Sequence, residues 1–211
     1  YSTILAEAAI RFQAEAMTET FPAQGPVKTK ILGESTREKE DAAERVRVDM
    51  NYELTEVMTE YRPEHERMLY SLGLAGSAFK KVYFDPALNR QTALYIPAED
   101  VIVPYGASNI EAAERVTHVM RKTENEMLRL MQAGFYIKCD LPDPEPFSTD
   151  ISEKKAQEDG FSIDNDNRYA LYEVHLTCRL EGFDEEDSIP RPYVITIEKT
   201  SNKILAIRRN W

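Results

Sequence analysis

The sequence predicts an α+β fold in which N-terminal helices are followed by antiparallel strands and a C-terminal β-meander. Three observations support this prediction. Apolar residues recur with helical spacing up to about residue 76, and they alternate with polar residues from about residue 169 onward. Between these regions, strands and helices do not follow a βαβ rhythm, which argues against a doubly wound sheet of the Rossmann type.

The first predicted helix covers residues 3–17. Its apolar side chains fall on one helical face, and Pro22, Gly25 and Pro26 follow it as helix breakers. The residues expected to face the core are Ile4, Leu5, Ala8, Phe12 and Ala16.

A second, longer helix is predicted from a capping box at Ser35 and Glu38 to about Tyr61. Pro63 suits the first turn of a third helix, which ends at Gly73 and Gly76. The residues expected to face inward are Val46, Met50, Leu54, Val57, Met58 and Tyr61 in the longer helix, and Met68, Leu69 and Leu72 in the third.

After Gly76 the sequence changes to strand-like alternation. SAFKKVYF and TALYI read as a hairpin, and Pro97–Asp100 reads as one helical turn with its acidic residues near the N-terminus. Val101–Val103 is predicted to be a short buried strand, and residues 114–122 another strand.

A second capping box, Thr123 to Glu126, opens a short predicted helix that Gly134 closes. The Pro- and Asp-rich residues 140–168 are expected to be mobile, with a small helix near Ser152–Glu158. Three strands then form a meander: YALYEVHLTCRLEG, PYVITIEK and KILAIRRN, the last two joined by a tight turn at TSNK.

Composition limits the classes of function. The chain has 211 residues and a net charge of −11, so it does not have the basic character of a general nucleic-acid binder. The sequence has no run of about 18 apolar residues, so it predicts no membrane span. Cys139 and Cys178 are expected to be free thiols, and the scattered His65, His118 and His175 are expected to be ordinary side chains rather than metal ligands.

Sequence motifs for catalysis are missing. GxGxxG, GxxxxGK[ST] and GxSxG do not occur, and His175 and Cys178 would lie on opposite faces of one strand. Glu99 and Asp100 could form an acid–base pair, but a helix N-terminus is the favoured reading.

The acidic and basic clusters also have structural readings. Asp184-Glu185-Glu186-Asp187 could bind a hard cation, and so could Asp140, Asp143, Asp164 and Asp166, although solvated loops are favoured for both groups. Three basic pairs are read as local ion-pair partners rather than a nucleic-acid track: Lys80-Lys81, Arg121-Lys122 and Arg208-Arg209.

Several segments, taken in their order and spacing, resemble one protein family. They are FPAQGPVKTKIL, MNYELTE, GLAGSAFKKVYFDP, IPAEDVIVPYGA, ERVTHVMRKTENEMLRL, AGFY and RPYVITIEKTSNKILAIRRN. Together they resemble the portal proteins of short-tailed bacteriophages and their prophages. The resemblance extends over nearly all of the chain and corresponds to the wing and adjoining body of a portal. Because the chain begins at Tyr1 and stops at Trp211 after a predicted strand, we expect it to be part of a longer polypeptide.

The resemblance implies a homo-oligomeric ring, expected to be a dodecamer, at one vertex of the virion, assembled in the cytoplasm of the bacterial host. Double-stranded DNA would pass through it without sequence-specific binding. Its expected partners are the large terminase subunit, capsid or scaffold proteins and tail adaptors, with no membrane, catalytic residue, cofactor or metal. The implied division is a helical portion of the body (1–76), a mixed α/β wing segment (77–139), an acidic flexible connection (140–168) and an antiparallel β-meander (169–211).

Two other functions stay open: an acidic adaptor or interaction module, and a metal-dependent hydrolase that uses the Asp-rich segments. For the ring, the helix at 36–61 is the candidate inter-subunit face. Replacing Arg47 and Glu53 with alanine is expected to weaken assembly without unfolding the chain.

Overall fold

The computed structural model describes residues 3–85, 88–144, 150–160, 167–184 and 189–210. The chain has an α+β fold, as predicted, and divides into two compact units, Tyr1–Ala98 and Glu99–Trp211. The four-part division implied by the portal resemblance describes the roles of segments in a ring and stays a prediction.

The N-terminal unit contains three α-helices and a hairpin. The helices are α1 (Ile4–Thr20), α2 (Arg37–Tyr52) and α3 (Tyr61–Ala75), and a π-helical turn (Glu53–Val57) follows α2. Strands β1 (Ala78–Asp85) and β2 (Arg90–Pro97) form the antiparallel hairpin.

Helix α3 is the centre of this unit, because α1 and the hairpin both pack against it. A Cβ on Gly73 would lie 3.2 Å from the Phe12 ring and 3.7 Å from Ala9 Cα, so small residues permit a close helix crossing here. On the hairpin side, Arg90 makes two hydrogen bonds of 2.7 and 2.8 Å with Glu60. Gly76 ends α3 in the left-handed conformation, whereas Gly73, predicted with it as the end of the helix, lies inside α3.

The C-terminal unit is built on a five-stranded antiparallel sheet with the order β3-β4-β5-β6-β7. Its elements are a 3₁₀ turn Ala98–Asp100 at the unit boundary, β3 (Val101–Ile102), β4 (Arg115–Lys122), α4 (Glu124–Gln132), α5 (Asp150–Asp159), β5 (Tyr169–Cys178), β6 (Arg191–Glu198) and β7 (Ile204–Arg209). Every strand therefore pairs with its neighbour along the chain.

The core of this unit lies between α4 and one face of the sheet. Met127 and Met131 of α4 pack with Leu171 and Leu205, and Tyr136 completes the buried cluster. The capping box predicted at Thr123 and Glu126 is present and fixes the start of α4 beside this core.

Two predictions about the N-terminal helices are wrong. Ile4, Leu5, Ala8 and Phe12 of α1 are exposed, and Ala9 and Met17 are buried instead. Ala9 is buried because it lies at the close crossing with Gly73, which admits only a small side chain. The long helix does not reach Tyr61: the π turn widens the helix, and Met58 leaves it with non-helical angles and is buried.

The start of α2 also differs from the predicted capping box. Thr36 is the N-cap, because its extended backbone lets its hydroxyl accept a hydrogen bond from the Lys39 N–H. The Ser35 hydroxyl instead donates to the Glu40 carboxylate.

One prediction about the strands is wrong. Ile102 and Val103 are exposed rather than buried, because β3 is a two-residue strand at the sheet edge. The three-stranded meander β5–β6–β7 forms as predicted, and β4 extends it by pairing with β5 along its length. The small helix near Ser152–Glu158 is confirmed as α5, whereas residues 145–149 and 161–166 of the expected mobile connection lie outside the described residues.

Candidate assembly surface

Helix α2 is the most unusual surface of the N-terminal unit. It has 16 residues, and none of them is buried. The face predicted to point inward carries Val46 and Met50, and both are exposed. A second stripe, which the sequence did not reveal, carries Val48 and Tyr52, with Tyr52 59% exposed. Because large apolar side chains are exposed on two faces of this one helix, α2 is the candidate assembly surface of the unit.

Local interactions explain why these residues form a helix although they bury so little. Thr36 caps the N-terminus, and acidic residues lie in the first turn, where the helix dipole favours them. Arg47 forms an ion pair with Glu44 three residues earlier, at 2.5 Å, on the solvent-exposed surface. Arg47 therefore has a partner within its own helix, and the expected effect of replacing Arg47 and Glu53 on assembly stays a prediction.

The C-terminal end of α2 is fixed by Asn51. Its side-chain oxygen accepts from the Val27 N–H at 2.9 Å, and its amide donates to the Val27 carbonyl at 3.2 Å. The contact needs a glycine at position 25: φ is +95° there, and a Cβ would lie 2.2 Å from the Asn51 side-chain oxygen. The segment after α1 thus holds one end of α2 in place.

A polar chain of hydrogen bonds links α1, α3 and β1. The Thr20 hydroxyl donates to the Ala16 carbonyl at 2.7 Å, so it accepts from His65 Nε2 at 2.8 Å. His65 Nδ1 then accepts from the Lys80 ammonium group at 2.8 Å. This pattern requires a neutral imidazole with its proton on Nε2.

Aromatic contacts and burial reinforce this arrangement. The Lys80 amine lies 4.1 Å from the centre of the Tyr61 ring, and that ring stacks on His65. Burial and the nearby Lys80 charge lower the pKa of His65, and burial lowers the pKa of Lys80. His65 is therefore a satisfied structural residue. Its spacing of four from Tyr61 and from Leu69 is the sequence signal that places it on the buried face of α3.

Asp184 is not the solvated loop residue that the sequence predicted. Its side chain is 0% exposed and accepts from the Leu180 N–H at 3.0 Å, the Tyr193 hydroxyl at 2.7 Å and Arg209 at 3.1 Å. The Leu180 N–H, followed by Tyr193 and Arg209, holds its pKa below the ordinary value. These partners leave little room for a cation at Asp184. The other three residues of the predicted acidic group, Glu185, Glu186 and Asp187, lie outside the described residues.

The other acidic candidates do not come together. Asp100 accepts two hydrogen bonds from Arg121, at 2.9 and 3.1 Å, and Glu99 is exposed, so they do not form an acid–base pair. Asp140 and Asp143 are exposed, and Asp164 and Asp166 lie outside the described residues. Among the described residues, no three His, Cys, Asp or Glu side chains meet as a potential metal site.

The basic pairs are occupied by local contacts, largely as predicted. Arg121 pairs with Asp100, Lys122 with Glu126, and Arg209 with Asp184. Lys80 and Arg208 differ from the prediction because they pack on aromatic rings: Arg208 lies 3.4 Å from the Phe135 ring centre.

The cysteines and the remaining histidines show no arrangement for nucleophilic chemistry. Cys139 and Cys178 are both free thiols, and burial raises the pKa of Cys178, which disfavours the reactive thiolate. His175 pairs with Glu173 on its own strand at 2.9 Å, and His118 lies on β4, opposite Glu173. Within the described ranges, no helix has the length and apolar character needed to cross a membrane.

No protein-family model matches the chain, and no curated protein is significantly similar to it. The resemblance to portal proteins therefore rests on the sequence segments given above.

Proposed function

We propose that the chain is a structural subunit of a phage portal ring. The ring lies at one vertex of the capsid and forms the conduit through which DNA is packaged and ejected. It offers docking points for the packaging motor and the tail, and the subunit itself carries out no chemistry. The order and spacing of the portal-like segments support this proposal.

The observation that carries the proposal is the exposure of α2. None of its 16 residues is buried. Four of the exposed side chains are large and apolar, and they lie in the last two turns of the helix: Val46, Val48, Met50 and Tyr52. A helix of this length is only marginally stable in water by itself, and most helices in proteins are stabilised by packing of an apolar face. Repeated copies around a ring would supply that packing.

The charge distribution is compatible with a conduit. The chain has a net charge of −11, and the basic pairs noted in the sequence are engaged by carboxylates or aromatic rings. Affinity for DNA comes largely from lysine and arginine contacts with phosphates. A subunit of this kind should let DNA slide rather than hold it.

Negative-stain electron microscopy and native mass spectrometry test the proposal. The sample is the chain together with any further residues of its natural polypeptide. We expect closed rings of one defined subunit number. Val48→Ser combined with Tyr52→Ser should reduce ring formation, because it removes apolar surface that is exposed in the single chain. Ser35→Ala, at an exposed position before the helix, is the control and should assemble normally.

Other outcomes point to the alternative functions. A chain that stays monomeric at every concentration and captures one defined partner would indicate an adaptor. Stoichiometric binding of Mg²⁺ or Mn²⁺ in calorimetry, together with turnover, would indicate a hydrolase. Either result would overturn the ring proposal.

A further inference from the structure

The two edges of the five-stranded sheet, β3 and β7, are protected in different ways. An edge strand presents backbone N–H and C=O groups to which another strand can pair. At the first edge, β3 has only two residues, and Asp100 directly before it forms an ion pair with Arg121 of β4. At the second edge, β7 has six residues, and another segment of the same unit lies along it.

This segment, residues 135–140, is the edge cover, and it runs antiparallel to β7. Three contacts join it to β7 and to the residue before that strand: Phe135 with Arg208, Ile137 with Leu205, and Asp140 with Lys203. The partner numbers fall as the numbers along the cover rise, which gives the direction of the segment. The middle contact is a backbone hydrogen bond of 2.8 Å from the Ile137 N–H to the Leu205 carbonyl. The cover therefore occupies the place that a sixth strand would take.

The cover is anchored to the core more firmly than to β7. It begins after α4 at Gly134, where φ is +72°, and the Phe135 and Tyr136 N–H groups both donate to the last turn of the helix. Tyr136 is 4% exposed and belongs to the core cluster, whereas Ile137 is 59% exposed. Among the described residues, the cover makes one backbone hydrogen bond with β7, and its other two contacts come from the side chains of Arg208 and Lys203. Loss of that one bond should free the edge while the core stays packed.

An uncovered β7 could pair with β7 of a second copy. The strand begins with four apolar residues, ILAI, and ends with two arginines. In an antiparallel pairing centred on the strand, Arg208 and Arg209 of one copy lie opposite the apolar start of the strand in the other, so like charges do not meet. The same surface is used on both copies, which makes the contact isologous.

We propose that the edge cover is a conformational guard, which prevents β7 from pairing with β7 of a second copy. In place, it occupies the Leu205 carbonyl and lies along the outer side of the strand. Displaced, it exposes an edge that joins two copies. The inference goes beyond the proposed function, because it concerns the unit that does not contain α2 and holds whether or not the chain forms rings.

Ile137→Pro in the whole protein tests the guard, because proline has no N–H to donate to Leu205. Lys138→Pro is the matched control: it places proline at the next position, whose N–H makes no backbone hydrogen bond in the described part of the chain. The probe is a fluorescently labelled peptide with the sequence of residues 203–210, KILAIRRN. Fluorescence anisotropy should show at least about fivefold tighter binding to Ile137→Pro than to the wild type, as expected from the loss of one hydrogen bond that closes the edge.

Hydrogen exchange within residues 203–210 gives a second readout that needs no label. In Ile137→Pro, exchange should slow as the protein concentration rises, because pairing between copies protects these amides. In the wild type and in Lys138→Pro, exchange should not depend on concentration. Circular dichroism checks folding. If Ile137→Pro is unfolded, Phe135→Leu combined with Lys203→Met replaces it, since that variant loosens both ends of the cover and keeps an apolar side chain against the core.

Three results would overturn the guard. The first is equal binding of the probe by the wild type and by a folded variant with a loosened cover. The second is an equal gain in Ile137→Pro and Lys138→Pro, which would show that proline acts without regard to the bond with Leu205. The third is undiminished binding of a probe that carries Ile207→Pro, because strand pairing needs its backbone N–H groups. None of these comparisons depends on ring formation, so failure of the guard and failure of the ring proposal are separate results.

Discussion

Replacement of Glu198 should destabilise the C-terminal sheet by an amount that can be calculated from its contacts. Glu198 is 1% exposed, and its carboxylate accepts three hydrogen bonds at the turn between β6 and β7. It accepts from the Thr200 N–H at 2.8 Å, the Ser201 N–H at 2.6 Å and the Ser201 hydroxyl at 2.5 Å. Burial raises its pKa, but hydrogen bonds from Ser201 and Thr200 outweigh burial, so the net pKa is lowered and the group stays ionised.

The magnitude follows from the number of donors left without an acceptor. Glu198→Ala removes three hydrogen bonds, each worth about 1 to 1.5 kcal/mol, so the free energy of unfolding should fall by about 3 to 4.5 kcal/mol. Glu198→Gln places an amide N–H₂ group where a carboxylate oxygen accepted, and should cost about 1 to 2 kcal/mol. Ser201→Ala removes one hydrogen bond and should cost about 1 kcal/mol.

Urea unfolding followed by circular dichroism measures these differences. With a slope of about 2 kcal/mol per molar urea, Glu198→Ala should lower the midpoint by about 1.5 to 2.2 M. Because the chain has two compact units, hydrogen exchange of peptides within residues 191–209 should locate the loss in the β6–β7 hairpin. A midpoint for Glu198→Ala within about 0.3 M of the wild type, or a larger loss for Ser201→Ala than for Glu198→Ala, would refute this account.

Three further perturbations have expected outcomes. The pKa of His65 is lowered in the folded chain, so the unfolded chain takes up a proton first as pH falls. The stability that a neutral His65 contributes is therefore present above about pH 6.5 and declines below it. His65→Gln, which can still donate to Thr20 and accept from Lys80, should remove that part of the decline in unfolding titrations between pH 7.5 and 5.5; a curve parallel to the wild type would contradict this. Met127→Ala should cost about 2 to 5 kcal/mol through a cavity in the core, whereas Leu128→Ala, exposed on the same helix, should cost less than about 0.5 kcal/mol, and equal losses in thermal melts would show that α4 does not pack as described. Asp184→Asn should lower the melting temperature more than Tyr193→Phe does, because it weakens the contacts with Leu180 and Arg209 as well as that with Tyr193; the reverse order would contradict the cluster.

The sequence was sufficient to predict most of the elements. Strands β6 and β7 are rich in β-branched residues and are separated by turn residues, and Asn202 in the TSNK turn adopts the left-handed φ of 55° that asparagine tolerates. The capping box at Thr123 was found because its two residues satisfy each other locally. Signals of this kind depend only on near neighbours along the chain.

Features that depend on distant residues could not be predicted. The packed face of α1 is decided by Gly73, which belongs to another helix, and the burial of Asp184 depends on Arg209 at the other end of a hairpin. For the candidate surface, the sequence correctly predicted that the residues of α2 form a helix. Its apolar stripe was nevertheless expected to face the core, because a single sequence cannot show whether such a stripe meets its own core or another copy.

The order of strands in the C-terminal sheet has a consequence for how this unit folds. The connection from β6 to β7 is a short turn, whereas the connection from Lys122 of β4 to Tyr169 of β5 is many times longer and contains α4 and α5. Closing the longer loop costs about 2 kcal/mol more in chain entropy. We therefore expect the β5–β6–β7 segment to form early and β4 to join it late, so that the rate of folding is limited by one long-range strand pairing.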